Sequence, residues 1–157
     1  MKAVLLSIGK TDNPIYAQLI DGYTRRLNFY VPFETAFLPD IKIRKSISEK
    51  EQKSMEGTAI LNWLQKGDFV VLLDDKGKEY TSTEFARFME IKSHAVSKRI
   101  IFVIGGPYGF SEDIYKRAND KISLSKMTFT HQMVRLIFVE QLYRAMTILN
   151  NEPYHHE

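Results

Sequence analysis

The stretch Ile100-Ile101-Phe102-Val103-Ile104-Gly105-Gly106-Pro107-Tyr108-Gly109-Phe110 opens with five consecutive apolar residues and continues into a glycine-rich turn. A strand with one wet face alternates apolar and polar positions. This run does not, so it is expected to be buried on both sides. Lys2 to Ile8 and Phe69 to Asp74 have the same character. Phe33 to Leu38, bracketed by Pro32 and Pro39, is read as a shorter strand near an edge, and Lys121 to Leu124 as the last strand.

Between these runs the apolar period changes to that of a helix. Ile15, Leu19, Tyr23 and Leu27 recur every four residues behind Asp12 and Asn13 as caps and Pro14 in the first turn. Ser48 with Glu51 forms a capping-box pattern, continued by Met55, Ala59 and Trp63 until Gly67. Thr81 with Glu84 repeats it before Phe85, Phe88 and Met89. The longest stripe is Val134, Phe138, Leu142, Ala145 and Leu149, from about His131 to Asn150. Strands alternating with helices imply parallel βαβ units, hence one α/β domain over residues 1–157 with helices on both faces of a parallel sheet. Asp40 to Ile47 is read as a loop.

Composition narrows the chemistry. At 157 residues the chain can bury a sizeable core, and 44% hydrophobic with 26% charged residues excludes disordered, collagen-like and coiled-coil classes. There is no cysteine, so disulfide scaffolds, thiolate zinc sites and cysteine nucleophiles are all removed. The four histidines, with His94 alone and His155 beside His156, give no metal-ligand spacing, and no His-Glu-x-x-His or nucleophile elbow occurs. No metal is expected. The net charge of +3 permits nucleic-acid contact without requiring it, and the densest basic stretch, Lys42, Arg44 and Lys45, reads as a solvated loop. No apolar run approaches the roughly 18 residues of a membrane span, and Met1 to Gly9 lacks the apolar region of a signal peptide, so no membrane and a cytoplasmic address are expected.

In open parallel sheets ligands collect at the carboxyl ends of strands, which points to the segments after Leu73, Ile104 and Leu124. The turn Gly105-Gly106-Pro107-Tyr108-Gly109 lets a ligand approach the backbone but matches neither the dinucleotide nor the P-loop fingerprint. A plain turn leading to Ser111 as a helix cap explains it equally well. Leu124 to Gln132 is rich in hydroxyls, and a ring system could lie between Met127 and Phe129. Alternatively, Thr130 caps the long helix and those two side chains fill core. Arg135 and Arg144, nine residues apart, fall on opposite sides of that helix, one for a ligand and the other for an interface. Tyr154, His155 and His156 in the tail offer stacking and hydrogen bonds, though chain ends often fray. What remains is chemistry in which a cofactor supplies the reactive group, or none.

The ordered set Leu73-Asp74-Asp75-Lys76-Gly77-Lys78, Phe102 to Gly109, Leu124 to Arg135, Glu140 to Ala145 and Pro153-Tyr154-His155 resembles the ribosomal RNA large subunit methyltransferase H family, from Lys2 to the C-terminus. That resemblance implies a SPOUT fold, with a deep trefoil knot near the C-terminus, and an obligate homodimer. Connection rules alone do not lead to a knot. The implied reaction is S-adenosylmethionine-dependent methylation of N3 of pseudouridine 1915 in 23S rRNA, on the assembled ribosome. The residues it implies for the cofactor are Leu73, Gly105, Leu124, Ser125, Lys126, Met127, Thr128 and Phe129. Arg144, Tyr154 and His155 are implied on the substrate side, with His155 as a base for the N3 proton unless solvent takes it. Where the family tail often ends Tyr-His-Arg or Tyr-His-Lys, this chain carries His156. The competing readings are a noncatalytic ribosome-binding protein on the same scaffold and a nucleotide-binding regulator.

Overall fold

A computed structural model describes residues 1–41 and 47–156. Lys42, Arg44 and Lys45, and with them the middle of the loop expected from Asp40 to Ile47, lie outside the described residues; Asp40, Ile41 and Ile47 carry no regular structure.

Among the described residues five strands, β1 (Lys2–Ile8), β2 (Phe33–Leu38), β3 (Phe69–Glu79), β4 (Arg99–Ile104) and β5 (Asp120–Ser123), alternate with five helices, α1 (Pro14–Leu27), α2 (Glu49–Trp63), α3 (Ser82–Ala95), α4 (Glu112–Arg117) and α5 (His131–Leu149). The strands form one sheet in the order β2-β1-β4-β3-β5, and every neighbouring pair is parallel. β3 runs on to Glu79 rather than stopping at Asp74, and β5 occupies Asp120–Ser123 rather than Lys121 to Leu124.

The pleat divides the core in two. Ala3, Leu5, Val71, Ile100 and Phe102 share a cluster with α1, α3 and α5, where the Phe138 ring lies 4.7 Å from that of Phe102. Val4, Leu6, Val70, Leu72, Ile101 and Val103 share the other with α2 and α4. Both faces of the central strands are therefore covered, as the unbroken apolar runs require.

The expected caps form. Asn13 Oδ1 accepts from the Ile15 amide at 2.9 Å, and complete capping boxes join Ser48 to Glu51 and Thr81 to Glu84. Thr130 Oγ1 accepts from the Met133 amide at 3.3 Å. Ser111 holds the cap position of α4, but its side chain makes no capping bond. Gly67 does not stop α2, which ends at Trp63; it turns the following loop at φ 93°.

Two helical faces differ from the expected ones. On α1 the stripe starting at Ile15 is not the core stripe: Ile15 is 68% exposed and Leu19 is exposed, while Ile20 and Leu27 are buried. On α2 Met55 is exposed, and the inner face is Gln52, Glu56, Gly57 and Ile60. The reason is geometric. Steps of four advance 400° around a helix, so a strict four-residue stripe drifts about 40° per step and leaves the core within three turns. The α5 stripe has one step of three, from Leu142 to Ala145, which cancels part of that drift, and Phe138, Leu142 and Ala145 are fully buried.

At the amino-terminal edge Asp68 and Arg99 tie the start of β3 to the start of β4 through two hydrogen bonds, Nε to Oδ1 at 2.8 Å and Nη2 to Oδ2 at 2.5 Å. Burial acts to raise the Asp68 carboxyl pKa, but Arg99 and the Gln65 amide outweigh it and hold the group below the usual carboxylate range. A carboxyl depressed in the folded state stabilises above its unfolded pKa, about 3.9, and that contribution is lost as pH falls through the lower folded value. Urea unfolding across the acid range should show Asp68→Asn less stable than wild type at neutral pH, with the difference shrinking below about pH 4.

Candidate functional site

Three strand ends meet on one side of the sheet. The connection after β4 leaves for the face of α4, while those after its neighbours β1 and β3 leave for the face of α1 and α3. Connections that part in this way open a crevice beyond the carboxyl ends. A cleft of about 510 Å³ occupies it, within the range of small-molecule sites. Its walls are Leu73 to Lys76, Ile104 to Phe110 and Ser123 to Phe129, with Tyr115 from α4 and His131 and Val134 from the first turn of α5. Leu73, Gly105, Leu124, Ser125, Lys126, Met127, Thr128 and Phe129 all line this cleft.

Local chemistry shapes each wall. Between Leu73 and Lys78 the register of β3 against β5 shifts, so that both residues face Ile122. Gly77 makes this possible: a Cβ there would fall 2.5 Å from the Ile122 carbonyl carbon and 2.7 Å from the Ser123 nitrogen. Ser123 Oγ donates to the Ser125 carbonyl at 3.0 Å, and the Met127 amide donates to Ser125 Oγ at 2.9 Å, which folds the connection back on itself. Met127 is 78% exposed, so it does not fill core, while Phe129 is half-buried in the wall. In the glycine turn the Gly109 amide donates to the Gly106 carbonyl at 3.2 Å, and Gly109 sits at φ 81°.

Electrostatically the cleft has one acidic side. Burial works to raise the pKa of Asp74, but hydrogen bonds from the Tyr115 hydroxyl and the Lys76 amide outweigh it and keep the carboxylate ionised. Burial, then Asp74, raises the Tyr115 hydroxyl correspondingly. At the rim, burial and then Arg135 push the His131 imidazole down against the opposing pull of Asp40. Among the described residues no group of three or more His, Asp or Glu is placed to hold a metal ion, and no helix is long and apolar enough to cross a membrane.

Arg144, Tyr154 and His155 form a second cluster at the far end of α5. Arg144 Nη2 donates to Glu140 Oε1 at 2.6 Å, Tyr154 Oη donates to the same oxygen at 3.0 Å, and Arg144 Nη1 lies 3.3 Å from His155 Nδ1. The Tyr154 ring lies under the Arg144 guanidinium at 4.8 Å and edge-on to Tyr143 at 4.9 Å. Glu140 is thus the hub that holds the tail, and its spacing of four from Arg144 was the legible signal for it. Thirteen residues of helix separate His131 from Arg144, about 20 Å along the axis. The described lining of the cleft includes none of the three tail-cluster residues. Arg135, expected to serve a ligand or an interface, is 3% exposed in this chain and donates to the Ile8 carbonyl at 2.8 Å and to Thr11 Oγ1 at 3.2 Å, tethering the β1–α1 loop. Sequence reasoning singled out neither Tyr115 nor Glu56, the latter a buried acid of α2.

Comparison with known proteins gives a consistent result. A family model described as predicted SPOUT methyltransferase matches residues 1–155. The ribosomal RNA large subunit methyltransferase H of Parabacteroides distasonis is 61% identical over 157 residues, covering 100% of both chains. The protein of the same name from Christiangramia forsetii is 56% identical over 156 residues, covering 99% of each. Among solved structures, a probable methylase family protein from Haemophilus influenzae Rd KW20 aligns with a TM-score of 0.50 and 13% identity over 99% of this chain and 70% of that one, a likeness of fold.

Gly77→Ala tests how the cleft is built. The new methyl would meet backbone rather than a movable side chain, so overpacking of about 1–3 kcal/mol is expected. Denaturant unfolding should report that loss, and amide chemical shifts should move at Ile122 to Ser125 rather than on the α2 side of the sheet.

Proposed function

Because the chain belongs to the SPOUT methyltransferase family, we propose that it transfers a methyl group from S-adenosylmethionine to N3 of pseudouridine 1915 in 23S rRNA. On this reading it acts in the cytoplasm on assembled ribosomes, as a homodimer whose C-terminal region carries the family's trefoil knot. The observation that carries the reading is the convergence of Leu73, the Gly105 turn and Leu124 to Phe129 on a single cleft.

The cleft suits that donor chemically. Leu73, Leu124 and Phe129 supply apolar walls for a purine, and the backbone of Gly105 to Gly109 and of Ser125 to Met127 supplies donors and acceptors for its edge. Asp74, held ionised, puts negative charge where a cationic group would lie. S-adenosylmethionine, when bound, brings a methyl group already attached to a sulfonium leaving group, so the protein needs no nucleophile of its own. The work left to the chain is orientation and the fate of one proton.

Arg144, Tyr154 and His155 take the substrate side. Burial, then hydrogen bonds with Tyr23 and Glu140, raise the Tyr154 hydroxyl, which keeps it a neutral phenol. A guanidinium can only donate, so at His155 the Nδ1 lone pair faces Arg144 and a neutral ring carries its proton on Nε2. In that arrangement Arg144 holds His155 in place on the substrate side, and the N3 proton passes to water. His156, where the family tail often has a basic residue, is exposed and weakens any phosphate contact there.

The axial distance of about 20 Å between the cleft and the tail cluster favours a site shared between two copies. Apolar surface for such pairing is present: Ile15 and Leu19 on α1 and Met133 on α5 are exposed, on helices that pack against each other.

Mass spectrometry of 23S rRNA from cells with and without the gene should show loss of one methyl group on the fragment holding pseudouridine 1915. An unchanged fragment removes the reading. For the shared site, a Thr128→Trp chain, whose exposed position lets the indole fill the cleft, is mixed with a chain truncated from Pro153. Each alone should be inactive, and mixed dimers should recover part of the methylation. Mixed dimers seen by native mass spectrometry without recovery would show that each copy uses its own tail.

A further inference from the structure

α2 carries an acid where the packing calls for a hydrocarbon. Glu56 is 3% exposed, in the layer that also holds Ile60, Phe110 and Ile114. Its Oε1 accepts from Gln52 Nε2 at 3.1 Å, while Oε2 is buried without a hydrogen-bond partner among the described residues. None of the ion pairs among the described residues includes it. A buried carboxylate without a cation is costly, and an apolar residue of similar volume is often neutral or stabilising in such a place. Stability therefore does not account for Glu56.

Its position does. A Cβ built on Gly106 would fall 2.2 Å from Glu56 Oε2 and 2.5 Å from the carboxyl carbon, so the carboxylate lies directly against the backbone of the glycine turn. One residue along α2, a Cβ on Gly57 would fall 2.4 Å from Ser111 Oγ. A single turn of α2 thus touches the turn near its start, at Gly106, and at its end, at Ser111. The opposite side of the same turn is a wall of the cleft, and α2 contributes nothing to the described lining. Burial pushes the Glu56 carboxyl up, the Gln52 amide pulls it back, Asp40 adds to the rise and the Gly106 amide lowers it again.

We propose that Glu56 is a positioning residue for the donor site: its carboxylate packs against the Gly106 backbone and sets the Gly105–Gly109 turn in the shape that binds S-adenosylmethionine. The inference rests on the methyl-donor reading above. Glu56 acts through the backbone and touches neither donor nor nucleobase.

Two substitutions of similar volume separate this role from packing. Glu56→Gln keeps an acceptor oxygen, and Glu56→Leu keeps only the bulk. Calorimetric titration of the full chain with S-adenosylmethionine should give an affinity about tenfold weaker for Glu56→Leu, which removes the polar contact that supports the turn. Glu56→Gln should stay within about threefold of wild type. On ribosomes, KM for the donor should rise in Glu56→Leu while kcat at saturating donor holds, and its urea midpoint should equal or exceed wild type. Should Glu56→Leu fail to fold, Gly106→Ala carries the test: alone it should weaken donor binding, and combined with Glu56→Ala it should lose less than the sum of the two single changes. Wild-type affinity in folded Glu56→Leu, equal losses in the Leu and Gln variants, or strict additivity of Gly106→Ala with Glu56→Ala would each overturn the proposal alone. A wild-type chain that binds no S-adenosylmethionine would remove the methyl-donor reading, and this inference with it.

Discussion

β4 lies between β1 and β3, hydrogen-bonded in parallel to both, and its apolar residues from Ile100 to Ile104 are buried on either face of the sheet. Parallel neighbours can be joined only by crossovers, and each crossover must cover a face, so this one strand demands helices in front and behind. Its own helix leaves on the side opposite to those after its neighbours, and the space left at its carboxyl end becomes the cleft. Core and site thus share one cause.

Close backbone contacts then give the cleft its form. Gly77 brings β3 against the backbone of Ile122 and Ser123, and Gly106 rests on a buried carboxylate. In both places a methyl group would occupy space already taken, so the walls depend on the missing side chain more than on backbone freedom. Several polar groups in this region are tied down: Asp74 by Tyr115 and Lys76, Ser123 by the Ser125 carbonyl, Arg135 by the Ile8 carbonyl. Such networks fix orientation, at an energetic cost that the two apolar layers of the sheet offset.

The tail is ordered by a different set of forces. Glu140 gathers Arg144 and Tyr154, and Tyr143 and the Arg144 guanidinium bracket the Tyr154 ring. Tyr30 adds a bond to Glu152, which pushes that phenol up to about 12. A terminus held by this many contacts is prearranged rather than frayed. Prearrangement lowers the entropy lost when a substrate binds.

The alternation of apolar strands with capped helices was enough to determine the parallel sheet, because unbroken hydrophobic runs and capping boxes are local patterns with local causes. The three strand-end segments were legible for the same reason, and the resemblance of their residues to a known family supplied the chemistry. Which face of α1 and α2 turns inward was not legible: a four-residue period specifies a drifting stripe, and only packing against the sheet selected Ile20 over Ile15 and Glu56 over Met55. The burial of Glu56 against Gly106 and the collision that forbids a side chain at Gly77 both join residues tens of positions apart in the chain. Distances of that kind are set when helices dock on the sheet, so tertiary structure alone decided them.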